Sequence, residues 1–197
     1  MALMDILITS EEKAREHEGV EVAFRSEVLL TVVGHAPWGL AVRPLWQAEP
    51  DPGLLFGAVL HLSRLAARSL SRFVLVLPWQ VVPQGFGEAA GEALDLAGIP
   101  RRFLWFALEG SPEKGPGEAA EGLRLSGFPV LVRGEEWLEA EDLGGPSREH
   151  PVYWVSGVEH PRVYDLALER GARVFSGSYT GVKEAGLSSF RPVRRGV

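Results

Sequence analysis

From residue 53 onward, apolar runs of strand length alternate with segments whose apolar residues recur at helical spacing. The run at 73–77 is continuously apolar, which is typical of a strand buried on both faces. The helix predicted for 53–70 carries apolar stripes in which residues lie three and four positions apart. This alternation predicts an α/β fold with a mainly parallel sheet and helices on both of its faces.

Ahead of this region the pattern changes to that of an antiparallel hairpin. Apolar and charged residues alternate over 20–24, as in a half-buried strand, and strand character continues over 28–33. A turn containing Pro and Gly at 35–39 leads back into a strand over 40–46. We therefore expect an N-terminal antiparallel β-hairpin joined to the α/β region.

Composition limits the class of protein. A chain of 197 residues with 46% hydrophobic content suits a single α/β domain over 1–197. A candidate sub-domain break lies in the segment rich in Gly, Pro and Glu at 109–122.

The net charge of −6 and the lack of a long basic cluster argue against a nucleic-acid partner. No run reaches the roughly 18 apolar residues of a membrane span, and the N-terminus lacks a signal-peptide pattern. We expect no membrane partner and a cytoplasmic protein.

The residue types that are missing are also informative. The chain has no cysteine, which excludes disulfides, thiolate nucleophiles and cysteine-based metal sites. Its five histidines are scattered, so we expect neither a tightly bound transition metal nor another cofactor. Of these, His61 lies in an apolar helical stripe and is expected to pack in the interior. The absence of asparagine and the excess of Arg over Lys suggest a thermophile, although a GC-rich genome gives the same bias.

The best candidate site lies near the end of the chain. A strand over 172–175 leads into the small-residue loop SGSYTG and then into a short helix. Amides at a helix N-terminus, together with the loop hydroxyls and a lysine, could hold a phosphate or a carboxylate. The candidate ligand-binding residues are Ser176, Gly177, Ser178, Tyr179, Thr180 and Lys183. The alternative is a tight strand-to-helix turn that simply needs Gly.

Two further loops follow predicted strands, and α/β sheets usually bind ligands at the carboxyl ends of their strands. Ser156 follows one strand and is a further candidate for ligand binding. Glu159 and His160 are the candidate catalytic residues, as an acid/base pair or part of a metal site. Alternatively, Glu159 caps the next helix and His160 is a solvated first-turn residue. Trp79 follows the strand at 73–77 and could stack on a ligand ring, although a packed loop explains it equally well.

The segment 152–187 contains a Ser-Gly turn with a histidine three residues after the Gly, and later a loop that reads SYTGVK. With these motifs it resembles the C-terminal part of the Nif3-like (dinuclear metal centre) family. In this resemblance His160 corresponds to the histidine after the turn. Ser178 stands where the family has a metal-binding histidine, so the resemblance implies a metal centre that has been lost.

Three functions remain open from the sequence. The leading one is binding of a small anionic or phosphorylated metabolite at the strand carboxyl ends. The second is a Nif3-like hydrolase that uses Glu159 and His160, with or without a metal. The third is a non-catalytic structural or oligomer-forming protein. Whether the protein is an enzyme, and whether it forms a homo-oligomer, stays open.

Overall fold

The computed structural model describes residues 23–31, 34, 36–45, 52–109, 116–133, 153–169, 171–177 and 179. The strands in this part of the chain are β1 (Ala23–Thr31), β2 (Pro37–Leu45), β3 (Phe73–Pro78), β4 (Leu104–Glu109), β5 (Val132–Arg133), β6 (Tyr153–Val155) and β7 (Val174–Phe175). The α-helices are α1 (Pro52–Ser69), α2 (Phe86–Leu96), α3 (Pro116–Leu125) and α4 (Pro161–Glu169). Short 3-10 turns lie at Trp79–Val81 and Arg101–Phe103.

The seven strands form one sheet in the order β4-β3-β2-β1-β7-β6-β5. The predicted hairpin is confirmed, because β1 pairs with β2 in antiparallel register from Ala23–Leu45 onward. The prediction of a mainly parallel sheet is wrong, and the sheet is mixed. The reason is that β1 does not stand at an edge but lies between β2 and β7, and it runs antiparallel to both. The β2–β3, β3–β4, β5–β6 and β6–β7 pairs are parallel.

The sheet curls until its two edges touch. Phe106 on β4 forms a parallel bridge with Val130, just ahead of β5. The Phe106 amide donates to the Pro129 carbonyl at 3.0 Å, and the Leu131 amide donates to the Phe106 carbonyl at 2.7 Å. The curled sheet therefore has an inner face and an outer face, and each strand alternates its side chains between them.

The inner face is packed with apolar side chains from six strands and from Leu131. The buried members are Leu29, Ala41, Val74, Val76, Ala107, Leu131, Trp154 and Val174. All four helices of the described part of the chain pack on the outer face. In the described part of the chain every helix lies outside the curl and side chains occupy its inner face, so helices on both faces are not observed there.

The outer face has two separate clusters. The larger lies between β2, β3, β4 and helices α1 to α3, and it includes Phe73, Leu75 and Leu77. The smaller joins β1, β6 and β7 to α4. Together with Val74 and Val76 inside, this explains the continuous apolar run of β3, which is buried on both faces. No helix of the described residues is long and apolar enough to cross a membrane. The candidate break at 109–122 includes residues outside the described part, so it stays a prediction.

Candidate functional site

Polar side chains replace apolar ones on the inner face where the strands end. On four strands, the inner-face residue is followed two positions later by a polar residue of the same face. Ala41 is followed by Arg43, and Ala107 is followed by Glu109. Trp154 is followed by Ser156, and Val174 is followed by Ser176. These carboxyl ends lie together, because β2, β3 and β4 are parallel neighbours, as are β6 and β7.

Strand β1 adds two charged residues to the same end. Arg25 is the register partner of Arg43, and Glu27 is the register partner of Ala41. Partners in antiparallel strands share a face of the sheet, so both belong to the inner face. We name the set of inner-face residues at this end the mouth; it comprises Arg25, Glu27, Arg43, Glu109, Ser156 and Ser176.

An ion pair spans the mouth on the side of β3. Nη1 of Arg43 on β2 contacts Oε1 of Glu109 on β4, across the end of β3 that lies between these strands. The two side chains are 29% and 30% exposed, so water reaches both. An ion pair that water reaches adds little to stability. An anionic ligand can therefore compete with Glu109 for the Arg43 guanidinium at a small cost in free energy.

Ser176 is buried on the opposite side of the mouth. Nε1 of Trp154 donates to its Oγ at 2.9 Å, and both residues are almost fully buried. The Ser176 amide donates to the Val155 carbonyl at 3.0 Å. These bonds hold the Trp154 indole in place beneath the mouth. Ser156 follows β6 as Ser176 follows β7, and its side chain is more exposed than that of Ser176.

The loops after β6 and β7 are packed against each other. The Val158 amide donates to the Ser176 carbonyl at 2.9 Å, and the Tyr179 amide donates to the Val158 carbonyl at 3.0 Å. Gly177 has a φ of +144°, and a Cβ there would lie 2.3 Å from the Val158 carbonyl oxygen. A side chain at this position would therefore be strained and would collide with Val158, which fits the alternative of a tight turn that needs Gly. The amides of Ser176 and Tyr179 are used within the protein.

The other predicted site residues are not on the inner face of the described strands or lie outside the described residues. Glu159 and His160 are exposed at the start of α4, where the His160 carbonyl accepts from the Val163 and Tyr164 amides at 3.1 Å. His160 is thus the residue at which the helix begins, and an acid/base role for the pair stays a prediction. Residues outside the described part of the chain include three members of the predicted loop site: Ser178, Thr180 and Lys183.

The two aromatic candidates for ligand binding, Tyr179 and Trp79, lie beside packed apolar clusters. The Tyr179 ring lies 5.4 Å from the ring of Tyr164 on α4, which contacts Phe175 at 5.3 Å. Tyr179 therefore covers the small outer cluster. Trp79 is partly buried at the start of the 3-10 turn after β3, and the next residues of that turn pack against the large outer cluster. A ligand-binding role for either ring stays a prediction.

Sequence reasoning missed the four charged residues of the mouth, which are Arg25, Glu27, Arg43 and Glu109. For two of them, the sequence contains a pattern that could have indicated their position on the inner face. Arg43 and Glu109 each interrupt or end an apolar strand two positions after a small inner-face Ala. A charge at that spacing shares the buried face, so it is not an ordinary solvent-facing residue.

Two tryptophan rings meet at the opposite end of the curl. Trp38 on β2 and Trp105 on β4 contact edge to face at 4.9 Å and pack against the inner cluster. His61 lies elsewhere, on the outer face, where its ring stacks on Phe24. Burial lowers the His61 pKa, and the nearby Arg64 charge lowers it further. Among the described residues, no three His, Asp or Glu side chains are grouped so that they could hold a metal ion.

Comparison with solved structures shows the same fold in EAL domains. The PaMucR phosphodiesterase, in complex with c-di-GMP, is 12% identical with a TM-score of 0.57 over 85% of this chain and 98% of that chain. A c-di-GMP-bound standalone EAL protein from Vibrio cholerae has the same identity and TM-score over 86% and 94%. The c-di-GMP-bound FimX EAL domain from Pseudomonas aeruginosa is 13% identical, with a TM-score of 0.53 over 92% and 96%.

The chain has an EAL-like fold. The sequence itself matches no protein-family model and no curated protein. The resemblance to the Nif3-like family is wrong, since the structural neighbours are consistently EAL domains. The motifs that suggested it have a packing cause in this fold. Ser176 accepts from Trp154, and Gly177 is needed where the two loops touch. A strand, a small-residue turn and a helix recur in many α/β proteins for such reasons.

Proposed function

We propose that the protein binds a cyclic dinucleotide, with c-di-GMP as the first candidate, at the mouth. The observation that carries the proposal is the pairing of Arg25 with Arg43 on the inner face at the carboxyl end of the curl. Like charges opposite each other on neighbouring strands destabilise a sheet unless counter-charges lie nearby. Glu109 contacts Arg43 and Glu27 lies on the same face, and a ligand with two phosphodiester anions would compete with these carboxylates for the two guanidinium groups.

The structural neighbours support the same ligand class. Three EAL structures with this fold are described as bound to c-di-GMP. At 12–13% identity the likeness concerns the fold, so the ligand itself is inferred from the mouth. Guanidinium groups suit the task, because their planar donors match phosphate oxygens with two parallel hydrogen bonds.

Hydrolysis of the phosphodiester is the second candidate. One neighbour is named a phosphodiesterase, and Glu109 brings a carboxylate to the mouth of this chain. Conversion of c-di-GMP to a linear dinucleotide, followed by chromatography, tests it. Loss of that product in Glu109→Gln with binding retained would support a catalytic carboxylate. The third function, a purely structural protein, predicts neither binding nor turnover.

The direct test is calorimetric titration of the full chain with c-di-GMP. We expect saturable binding, and a loss of about tenfold or more in Arg43→Gln, because a charge-assisted hydrogen bond contributes about 1.5–3 kcal/mol. Arg68→Gln is the matched control, since Arg68 is an exposed arginine in the last turn of α1, at the opposite end of the curl from the mouth. No binding at about 100 µM ligand, a level that detects weak complexes, would contradict the proposal. So would equal losses in the two variants.

A further inference from the structure

We propose that the amino end of the curl, opposite the mouth, docks on an anionic phospholipid surface. We call this surface the amino-end face. It consists of the last turns of α1, α2, α3 and α4 and the connections that lead from them into β3, β4, β5 and β7. All four helices therefore end at this face.

Each helix places an exposed leucine on the amino-end face. Leu70 follows α1, Leu96 ends α2, Leu125 ends α3 and Leu168 lies one residue before the end of α4. The first three are 77%, 78% and 82% exposed, and the fourth is 47% exposed. Single exposed leucines are ordinary on protein surfaces. Here one exposed leucine lies at the end of every described helix. Most of the large exposed apolar residues of the described chain therefore lie at one end of the molecule.

The same face is basic, although the whole chain carries a net charge of −6. Within the described residues it holds two acidic residues, Asp95 and Glu169, and six arginines, for a net charge of +4. The arginines are Arg68, Arg72, Arg101, Arg102, Arg124 and Arg173. Attraction of cations to helix C-termini explains those in the last turns, Arg68 and Arg124. The other four lie beyond the helix ends, so that effect does not account for them.

Several of these arginines are held in place by contacts at the face itself. The Arg72 guanidinium lies 5.1 Å from the ring centroid of Trp38, and that of Arg102 lies 5.1 Å from the ring of Phe103. Arg101 contacts Asp95 and the Ser126 carbonyl, which ties the end of α2 to the end of α3. These contacts therefore hold three of the six guanidinium groups on the same face as the exposed leucines.

Charge and shape together favour a bilayer as the partner. Anionic headgroups complement the net positive charge of the amino-end face. Leucine side chains inserted among the acyl chains are removed from contact with water. The leucines stand on four separate helix ends and do not line one groove, an arrangement that a fluid surface accommodates more readily than a folded acidic protein. Docking through this end would leave the mouth facing the solvent. The expectation of no membrane partner rested on the lack of a membrane span and of a signal peptide, and peripheral contact of this kind needs neither.

The test is co-sedimentation of the full chain with vesicles of phosphatidylcholine alone, or with about one third phosphatidylglycerol as a source of negative surface charge. We expect binding to the anionic vesicles only, and weaker binding as salt is raised. The variant Leu70→Asn/Leu96→Gln/Leu125→Gln should bind about tenfold more weakly or worse, since it removes the inserted side chains. Leu45→Gln is the matched control, because Leu45 is an exposed leucine at the opposite end.

A second variant keeps the test decisive if the triple leucine variant fails to fold. Arg68→Gln/Arg102→Gln/Arg173→Gln should also lose binding, while Arg162→Gln, at the opposite end of α4, should not. Failure of the wild type to bind anionic vesicles at low salt would overturn the proposal, whether or not it binds poly-glutamate as a mimic of an acidic protein. An equal loss in Leu45→Gln and in the leucine variant would also overturn it.

Discussion

The half of the sheet made of β2, β3 and β4 is built differently from the half made of β5, β6 and β7. The first has strands of nine, six and six residues, and its described outer cluster contains 18 buried residues under three helices. The second has strands of two, three and two residues, and its described outer cluster contains six buried residues under one helix. The first half is held by side-chain packing, and the second depends more on specific hydrogen bonds near the mouth.

This difference bears on function because the mouth spans both halves. Arg43 and Glu109 come from the heavily packed half, whereas Ser156 and Ser176 come from the lightly packed one. A ligand that contacts both would add cross-links to the second half, whose described part has the smaller buried cluster. We therefore expect c-di-GMP to stabilise β6 and β7 more than β3 and β4.

The largest expected effect is in the packed half. Phe106 is fully buried, with its ring 5.2 Å from Phe128 and 6.4 Å from Phe86. Phe106→Ala should lower the free energy of unfolding by about 3–5 kcal/mol, because it leaves a cavity in a densely packed cluster. Phe175→Ala makes the same change in the small cluster and should cost less. Urea denaturation measures both, and a larger loss at Phe175 would refute the comparison.

The next effect is in the hydrogen-bonded half. Gly177→Val should lower the free energy of unfolding by about 2–3 kcal/mol, since a side chain is strained at that φ and collides with Val158. It should also abolish c-di-GMP binding by separating the two loops. Gly122→Ala is the control, because a Cβ there meets open space in α3 and Ala favours a helix. A wild-type melting temperature in Gly177→Val would show that the loops are not held as described.

A smaller effect is expected from the buried hydrogen bond below the mouth. Trp154→Phe and Ser176→Ala each remove one partner of the indole-to-hydroxyl bond. A double-mutant cycle should give a coupling of about 1 kcal/mol in the free energy of unfolding, the usual net contribution of such a bond. Additive losses would mean that the two side chains act independently, and that β6 and β7 are held together by other contacts.

The smallest effect concerns pH in the packed half. Burial and Arg64 lower the pKa of His61 in the folded protein. The unfolded chain binds this proton at the ordinary pKa of about 6.5, so acid favours unfolding. The contribution to stability is complete above the unfolded pKa and is lost as the pH falls towards the folded one. His61→Phe, which keeps the stack on Phe24, should weaken the dependence of the free energy of unfolding on pH between about pH 7 and 5, as measured by urea denaturation.

Much of the packed half could be predicted from the sequence. The helix predicted over 53–70 is Pro52–Ser69 in the structure, and the strand predicted over 73–77 is Phe73–Pro78. The apolar stripes of that helix and the continuous run of that strand are local signals. The hairpin was also predicted, because alternation and turn residues are local too.

The curl of the sheet and the mouth could not be predicted in the same way. The position of β1 between β2 and β7 depends on pairing between distant segments, which periodicity does not encode. From the sequence, Arg43 and Glu109 are ordinary charged residues at strand ends. Only the register of the sheet shows that they lie on the inner face. Ser176 was predicted to bind a ligand through its hydroxyl, but in the structure that hydroxyl accepts a hydrogen bond from Trp154. The inferences of a thermophile, a cytoplasmic location and a single domain over 1–197 stay predictions.

The central claim is that the carboxyl end of the curl binds c-di-GMP, and hydrogen–deuterium exchange of the full chain with and without saturating ligand tests it most directly. We predict slower exchange in the segments that end at the mouth, with the strongest protection around Val155 and Ser176–Gly177. Exchange near Leu70 and Leu96, at the amino-end face, should be unchanged. Protection centred on the amino-end face, or no protection around Ser176 at saturation, would contradict the account.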